Sequence, residues 1–381
     1  MGSWLMKYMG SKQWMLRNGL GDVLAEQISG ARGFSDLFAG SGAVACYVAE
    51  RFAIPVFAYD LQAYSAILCR AVIGRDTRLN WRPTWDAWFH RAYRRNRRVP
   101  RIPSATIWTG ARIRDVRKWA AGQRLLPITK AYGGHYFSPS QAVWIDALRS
   151  TLPNKEPNRT VALAALIQSA SQCVASPGHT AQPFQPTPTA MNYLQKAWDH
   201  DIVDCTEKAF SALAPRFAKR VGGAFVADAN EGAKELSSNN LAFIDPPYSA
   251  VQYSRFYHVL ETIALGRCGA VTGVGRYPAT ELRPRSRYSL KTDSAKALDE
   301  LLGTIASRRS FGILTFPEHD CSNGLSGELV RNIALRYFHI YERHIESKFS
   351  TLGGTGDGRA NEAGRAARLH AEELILILRP K

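Results

Sequence analysis

One short stretch of the sequence, Asp245-Pro246-Pro247-Tyr248, has residue types suited to binding and orienting an amino group. Proline lacks a backbone N–H and restricts the preceding residue to extended conformations, so the two prolines make a stiff corner after an apolar run. Asp245 offers a carboxylate and Pro246 a carbonyl, and Tyr248 adds a flat ring. Two fixed acceptors can grip the N–H bonds of an exocyclic amine on a base while the ring stacks on that base. The alternative interpretation is a plain strand end followed by a proline turn.

A second group with chemical potential lies near the N-terminus, where the turn Gly40-Ser41-Gly42 separates an apolar run from a helical pattern. With the residues that follow, it satisfies the G-x-G-x-x-G/A pattern, and Asp60 ends the next predicted strand. This pattern alone fits a dinucleotide, S-adenosylmethionine or a structural turn without a ligand. Asp36, in the strand before the turn, favours the sulfonium cofactor, because a carboxylate suits an ammonium group better than a pyrophosphate.

The elements that must position these residues alternate between strands and helices. Strands are predicted over 34–39, 54–60, 224–228, 241–245, 311–316, 339–350 and 372–380, and helices over 43–52, 63–73, 161–175, 201–214 and 255–265. The first strands and the helix between them form a βαβ unit, which predicts parallel pairing. The last two strands look like a hairpin joined by the glycine-rich link 353–364. We therefore predict an α/β fold with a Rossmann-like, mainly parallel sheet and an antiparallel C-terminal hairpin.

The segment between the second and third predicted strands has a different composition. Tryptophans are interleaved with arginines in this segment. The residues from Arg75 to Lys130 include fifteen Lys/Arg and three Asp/Glu, which gives a net charge of +12 out of +17 for the chain. We therefore predict that 76–200 is an inserted recognition region, and that 1–75 and 201–381 form the catalytic domain. The densest basic run contains Arg94, Arg95, Arg97 and Arg98, which we expect to contact a polyanion.

Bulk composition narrows the class of partner and the location. The strong positive charge favours nucleic acid over a small neutral substrate or an anionic membrane. The apolar runs are far shorter than the roughly 20 residues that cross a bilayer, and the N-terminus lacks a signal-peptide pattern, so we expect a soluble protein of the cytoplasm. The six cysteines form no Cys-x-x-Cys pair and no metal-ligand spacing, so no metal site is expected.

In their order along the chain, these motifs resemble those of the Dam-like, class α amino-methyltransferases of DNA, which methylate adenine N6 with S-adenosylmethionine. The matching pieces are KYMGSK (7–12), SDLFAGSG (35–42), AYD (58–60), AFVADA (224–229) and FIDPPY (243–248). The basic insertion occupies the place of the family's target-recognition domain, although it matches only by position and charge. The resemblance covers nearly the full length of the catalytic domain.

The resemblance implies a role for each matching residue. Asp245, Pro246, Pro247 and Tyr248 would bind the target amine of a base flipped out of double-stranded DNA. The cofactor would be held by Tyr8, Lys12, Asp36, Phe38, Gly40, Ser41, Gly42, Asp60 and Asp228, with Lys12 on its carboxylate, Asp60 on the ribose and Asp228 on the adenine. Apart from the resemblance, Tyr253, Arg255 and Tyr257 follow the proline corner directly, and we expect them to contact the flipped nucleotide's phosphates or fill its gap. The sequence also allows Lys12 as a surface lysine, Phe38 as core and Asp228 as a strand-end cap.

Several alternatives remain at the level of sequence. Cytosine N4 methylation uses the same acceptor geometry, and a non-catalytic DNA-binding protein could retain a methyltransferase fold. Cytosine C5 methylation is excluded, because it needs a thiolate and no cysteine follows a proline here. A nicotinamide-dependent oxidoreductase would leave the proline corner and the basic segment without a role. Partnership with a restriction nuclease and a stand-alone role in genome defence are both open.

Overall fold

The computed structural model describes residues 12–347 and 371–381. Its strands are β1 (Gly33–Asp36), β2 (Val56–Asp60), β3 (Gly223–Val226), β4 (Asn240–Ile244), β5 (Val271–Thr272), β6 (Tyr277–Pro278), β7 (Phe311–Pro317), β8 (Phe338–Ser347) and β9 (Ala371–Pro380). Its helices are α1 (Gln13–Arg17), α2 (Leu20–Ile28), α3 (Ala43–Arg51), α4 (Ala63–Ile73), α5 (Trp81–Asn96), α6 (Gly110–Ala121), α7 (Pro127–Tyr132), α8 (Pro139–Ser150), α9 (Asn158–Cys173), α10 (Met191–Trp198), α11 (Ile202–Leu213), α12 (Ala229–Lys234), α13 (Tyr253–Phe256), α14 (His258–Leu265), α15 (Ser294–Ser307) and α16 (Gly327–Ala334).

These elements form two compact units, each discontinuous in sequence. Of the described residues, the sheet unit contains 12–76, 218–253, 285–347 and 371–381, and the helical unit contains 77–217 and 254–284. The helical unit is therefore larger than the predicted insertion 76–200, because it also includes 201–217 and a segment that follows the proline corner.

The sheet unit is built on seven strands in the order β3-β2-β1-β4-β7-β9-β8. The first five are parallel, and β9 lies antiparallel between β7 and β8. The chain leaves β1 towards one side through β2 and β3, and then returns to the other side of β1 as β4. This reversal is a topological switch point, where open α/β sheets bind ligands at the carboxyl ends of the strands. The mainly parallel sheet and the antiparallel C-terminal hairpin confirm the predicted α/β class and are compatible with a Rossmann-like fold.

The core of the sheet unit lies between the sheet and α15. This helix repeats apolar residues at spacings of three and four, which places them on one face. Its buried residues include Ala297, Leu298, Leu301, Leu302 and Ile305, and they pack in one cluster with Ile244, Leu314, Phe316, Leu376 and Leu378 of the central strands. All residues of β4 and β7 are buried, as is usual for strands covered on both faces. The carboxyl ends of the strands are consequently held by a rigid layer.

The helical unit is organised around α9. Twelve of the sixteen residues of this helix are buried, including all of 161–171, so this part is covered on all sides. It packs against α8, α11 and α14, and the last two belong to the segments beyond the predicted insertion. The small hairpin of β5 and β6 belongs to the same unit. Contacts to a central helix, which local sequence patterns do not reveal, thus decide where the unit begins and ends.

Most predicted elements are confirmed, with two qualifications. The helix predicted over 63–73 is α4, and the two C-terminal strands pair antiparallel. The helix predicted over 255–265 is interrupted at Tyr257, which separates α13 from α14. The link 353–364 lies outside the described residues. None of the described helices is both long and apolar enough to cross a membrane.

Candidate active site

The carboxyl ends of four adjacent parallel strands gather most of the predicted site residues. In sheet order, β3 leads to Asp228, β2 ends at Asp60, β1 leads to the glycine turn and β4 leads to Asp245. These segments are far apart in sequence. Parallel strands in one sheet end at the same edge, so the topology brings the four segments together.

The glycine turn needs its glycines for two separate reasons. Gly40 and Gly42 have φ angles of 51° and 76°, in the left-handed region that favours glycine. The N–H of Gly42 donates to the carbonyl oxygen of Ala39 at 2.7 Å, which closes the turn before α3. A Cβ atom at Gly42 would lie 2.8 Å from the Sγ of Cys69. The turn therefore presents bare backbone at the carboxyl end of β1.

Asp60 ties the glycine turn to the end of β2. Its Oδ2 accepts a hydrogen bond from the N–H of Gly40, and its Oδ1 accepts one from the N–H of Gln62, both at 2.8 Å. Burial raises the pKa of Asp60, and these two hydrogen bonds oppose that effect. Any hydroxyl group bound by Asp60 would therefore use the remaining lone pairs of a carboxylate that already fixes the turn.

Asp36 is buried beneath the same turn. Its side chain accepts a hydrogen bond from the N–H of Phe38 at 3.3 Å. Burial raises the pKa of Asp36 to about 8, the hydrogen bond opposes this, and the charges of Asp245 and Asp60 add to it. At neutral pH the carboxyl is consequently mostly protonated, and a neighbouring cation would favour its ionised form. The ring of Phe38 packs edge-on against Tyr288, with ring centres 4.9 Å apart.

Asp228 has a structural role of its own. It is the N-cap of α12, and its Oδ1 accepts a hydrogen bond from the N–H of Asn230 at 2.9 Å. This is the capping function that the sequence allowed as an alternative to cofactor binding. The cap fixes the side chain at the end of β3, next to the end of β2.

At the proline corner, one carboxylate oxygen of Asp245 has hydrogen-bonding and ionic partners, whereas the other oxygen and the Pro246 carbonyl have none among the described residues. The hydroxyl of Thr315 donates to Oδ1 of Asp245 at 2.8 Å, and the ammonium of Lys12 lies 3.0 Å from the same oxygen. Within 12–347 and 371–381, no hydrogen bond ends on Oδ2 of Asp245 or on the carbonyl oxygen of Pro246. Tyr248, which is half-buried, packs against the core of the sheet unit. One oxygen of Asp245 is thus anchored and the other is available.

Lys12 bridges two carboxylates, which differs from the predicted contact with a cofactor carboxylate. Its buried ammonium binds Asp245 and also Glu373 on β9. Burial alone would lower the pKa of Lys12, but the two carboxylates outweigh burial and raise it. Burial raises the pKa of Asp245, Lys12 opposes this and Glu373 adds to it. Glu373 was not predicted from sequence, where it appears only as an acid at the start of an apolar strand.

A loop after β7 supports the proline corner from behind. The side-chain amide of Asn323 donates to the carbonyl oxygen of Pro247 at 2.7 Å and to that of Tyr288 at 2.9 Å. The N–H of Ala250 donates to the hydroxyl of Ser322 at 3.0 Å. Asn323 is fully buried, so these bonds are protected from water. No sequence motif marked this loop, because the contact joins segments that are distant along the chain.

The predicted DNA-contacting residues lie in the helical unit or directly before one of its segments in sequence, and the prediction for one of them, Tyr257, is wrong. Tyr257 is fully buried, so the predicted contact with nucleotide phosphates is wrong. It lies at the junction of α13 and α14, and its polar hydroxyl made a core residue look functional. Arg255 is exposed, with its guanidinium 4.7 Å from the ring centre of Tyr277. Tyr253 is half-buried.

The basic run at the end of α5 is largely open to solvent. Arg94, Arg97 and Arg98 are exposed, and Arg95 is half-buried. Arg95 lies close enough to the buried Asp146 for its charge to oppose the rise that burial causes in the pKa of that carboxyl. Tyr8 lies outside the described residues. Three of the four predicted arginines are therefore accessible to a large anionic partner.

No protein-family model and no curated protein matches the chain. Across the part of the chain that the structure describes, no cluster of His, Cys, Asp and Glu side chains could hold a metal ion. The functional conclusion consequently depends on the chemistry of the site itself.

Proposed function

We propose that this protein is a DNA methyltransferase that transfers a methyl group from S-adenosylmethionine to N6 of an adenine flipped out of the duplex. The observation that carries the proposal is a pair of acceptors that receive no hydrogen bond from the described residues, Oδ2 of Asp245 and the carbonyl oxygen of Pro246. They lie on the proline corner after β4, the strand next to β1 and its glycine turn. Both acceptors lie at the switch point of the sheet, where a ligand at the turn and a base at the corner would be neighbours.

The donor set at the strand ends fits a cationic cofactor better than a dinucleotide. Three carboxyl groups, those of Asp36, Asp60 and Asp228, lie at or near the carboxyl ends of β1, β2 and β3. A pyrophosphate would be repelled by those that are ionised and would favour none of them. A sulfonium compound with an ammonium group would be attracted. When bound, S-adenosylmethionine supplies an electrophilic methyl group. The bare backbone of Gly40 and Gly42 would allow the methionine part to approach closely, and Asp36 would bind its ammonium group.

The anchoring of Asp245 explains how the corner would orient an amine. Thr315 and Lys12 hold one carboxylate oxygen, which points the other in a fixed direction. That oxygen and the Pro246 carbonyl would accept the two N–H bonds of the adenine amine, so that the nitrogen lone pair faces the methyl group. Tyr248 would stack on the base and offset part of the energy lost when the base leaves the helix.

The ion pairs around Lys12 would keep the corner in its accepting form. A buried aspartate alone tends to be neutral, and a protonated carboxyl can donate as well as accept a hydrogen bond. The ammonium of Lys12 favours the ionised form of Asp245, while Glu373 holds the ammonium in place. Lys12 and Glu373 are therefore positioning residues that would act through Asp245.

The test combines cofactor binding with methyl transfer by the full-length protein. Calorimetry should detect S-adenosylmethionine binding to the wild type, and Asp245→Ala should lose methyl transfer to duplex DNA while retaining DNA binding. Asp320→Ala, which removes an exposed acid from the loop after β7, is the matched control and should remain active. A wild type that does not bind the cofactor, or an Asp245→Ala variant with full activity, would contradict the proposal.

A further inference from the structure

The helical unit contains a pocket that the proposed chemistry does not use. It has a volume of about 330 Å³ and lies between the segment 103–105 and one face of α6 with the residues before it. Its lining is Pro103, Ser104, Ala105, Trp108, Arg112, Asp115, Val116 and Trp119. The volume falls within the range of pockets that bind small organic groups.

The lining combines two indole rings with one guanidinium and one carboxylate. Arg112, Asp115 and Trp119 follow one another at spacings of three and four, so they share a face of α6. The ring of Trp108 is fixed edge-on against Trp198, with ring centres 5.2 Å apart. The guanidinium of Arg112 donates to the carbonyl oxygen of Ile107 at 2.8 Å, which limits its movement. The pocket is therefore largely preformed.

Asp115 is the unexpected member of this lining. It is the sole acidic residue between Asp86 and Asp146, and the segment from Arg94 to Arg124 contains ten Lys and Arg residues. In the described parts of the chain, its carboxylate forms no ion pair and no hydrogen bond, and the side chain is exposed. A carboxylate here weakens the attraction of the region for phosphate. Its presence within a basic segment indicates a ligand group that needs an acceptor.

A nucleobase with an exocyclic amine could contact the indole rings, the carboxylate of Asp115 and the guanidinium of Arg112 together. Indole rings stack on bases, and a carboxylate accepts a hydrogen bond from an amino group such as N4 of cytosine. Arginine can donate to a ring nitrogen or carbonyl oxygen of the same base. A phosphate would be repelled by Asp115, and a purely apolar ligand would leave the carboxylate of Asp115 without a partner.

We propose that this pocket binds one unstacked nucleobase that carries an exocyclic amino group, in addition to the base held at the proline corner. The inference depends on the proposed function only for the choice of DNA as partner. The aromatic residues would supply affinity for any base, whereas Asp115 would favour cytosine over thymine. The surrounding arginines would bind the flanking phosphates.

The test compares two short single-stranded oligonucleotides of equal length, oligodeoxycytidylate and oligothymidylate, by fluorescence anisotropy with the full-length protein. The wild type should bind oligodeoxycytidylate more tightly. Trp119→Ala should weaken oligodeoxycytidylate binding by about tenfold, as expected for one lost stacking contact. Tyr193→Ala removes an exposed aromatic ring outside the pocket and is its control.

Asp115→Ala provides the sharper readout, because it should abolish the preference for oligodeoxycytidylate. Removing a negative charge also raises affinity for any polyanion, so the informative quantity is the ratio of the two affinities. Asp86→Ala removes the same charge from an acid outside the pocket, which is half-exposed and paired with Arg82, and it should leave the ratio unchanged. A wild type without a preference, or an Asp115→Ala variant with an unchanged ratio, would overturn the inference.

Methyl transfer to duplex DNA, measured on the same preparations, separates this inference from the proposed function. A protein that shows the base preference but transfers no methyl group would support the inference about the pocket and contradict the proposed activity. The opposite result is a wild type that methylates DNA, with Asp115→Ala and Trp119→Ala variants that bind both oligonucleotides like the wild type. It would support the proposed activity and contradict the inference about the pocket.

Discussion

At the scale of single residues, the site depends on the unequal use of the two carboxylate oxygens of Asp245. Lys12 and Thr315 occupy one oxygen, and the other has no partner among the described residues. A buried ion pair of this kind contributes little to net stability, but it is costly to break because one charge is left unpaired. The geometry therefore ties the orientation of the proposed catalytic residue to the integrity of the Lys12 ion pairs.

The first prediction concerns the loss of the Lys12 ammonium. Lys12→Met leaves the buried Glu373 and the partly buried Asp245 without their shared ammonium, so the free energy of unfolding should fall by about 3–5 kcal/mol in denaturant titrations. Lys208→Met is the matched control, since it breaks an exposed pair with Asp204 and should leave the free energy of unfolding almost unchanged. Equal losses in the two variants would contradict the described network.

The second prediction concerns the pH dependence of stability. The pKa of Asp36 is raised to about 8 in the folded protein, above its ordinary value, so the folded state holds a proton that the unfolded chain releases. Its contribution to stability is therefore greatest in acid and declines as the pH rises towards about 8, by about 1.4 kcal/mol per pH unit. Asp36→Asn imitates the protonated form. The difference in free energy of unfolding between wild type and Asp36→Asn, measured in denaturant titrations, should change with pH over this range. A constant difference would contradict a raised pKa of Asp36 in the folded protein.

At the scale of elements, the site consists of turns that begin where parallel strands end. The glycine turn follows β1 and is fixed by Asp60, which ends β2. The proline corner follows β4 and is fixed by Asn323 in the loop after β7. Each turn is thus held by a residue from the neighbouring strand connection, so an error in one connection should displace the turn beside it.

The third prediction concerns the space at the glycine turn. Gly42→Ala combines an unfavourable φ angle with a contact to Cys69, whereas Gly178 has a φ angle of 82° and open space around it. Gly42→Ala should therefore destabilise the protein by about 1–3 kcal/mol more than Gly178→Ala, and it should weaken binding of S-adenosylmethionine. Thermal or denaturant unfolding measures the first effect and calorimetry the second. Equal stability of the two variants would contradict the tight packing beneath the turn.

Local patterns predict the elements of the site better than its supporting contacts. The glycine turn, the strand ending at Asp60 and the proline corner each carry their signal within a few neighbouring residues. Glu373 and Asn323 carry no such signal, because their roles arise from sheet order and from contacts between distant segments. Tyr257 shows the opposite failure: a polar ring next to a motif indicated function, whereas the packing at the start of α14 buries it.

At the scale of the whole molecule, the net charge can be read from the sequence, whereas the boundaries of the two units cannot. The basic excess was visible in the sequence, because charge is a sum over residues. The extent of the helical unit was not, since 201–217 and 254–284 join it through packing on α9. The sheet unit contains the proposed chemistry. The helical unit, with 24 Lys/Arg and 10 Asp/Glu in 77–217 and 254–284, contains most of the net positive charge that would attract DNA.

The fourth prediction concerns the salt dependence of DNA binding. Replacing Arg94, Arg95, Arg97 and Arg98 with alanine should weaken binding and make the slope of log K against log salt less steep, by about 0.9 for each lost phosphate contact. The control removes four exposed arginines of the sheet unit, Arg17, Arg32, Arg308 and Arg309. A slope that changes no more than in the control would show that the run at the end of α5 is only a solvated surface.

The central claim is methylation of an adenine amine, and nucleoside analysis tests it most directly. Duplex DNA is incubated with the full-length protein and isotope-labelled S-adenosylmethionine, digested to nucleosides and examined by mass spectrometry. We predict label in N6-methyldeoxyadenosine with the wild type and none with Asp245→Ala. Label in N4-methyldeoxycytidine instead, or in no nucleoside, would contradict the proposed reaction.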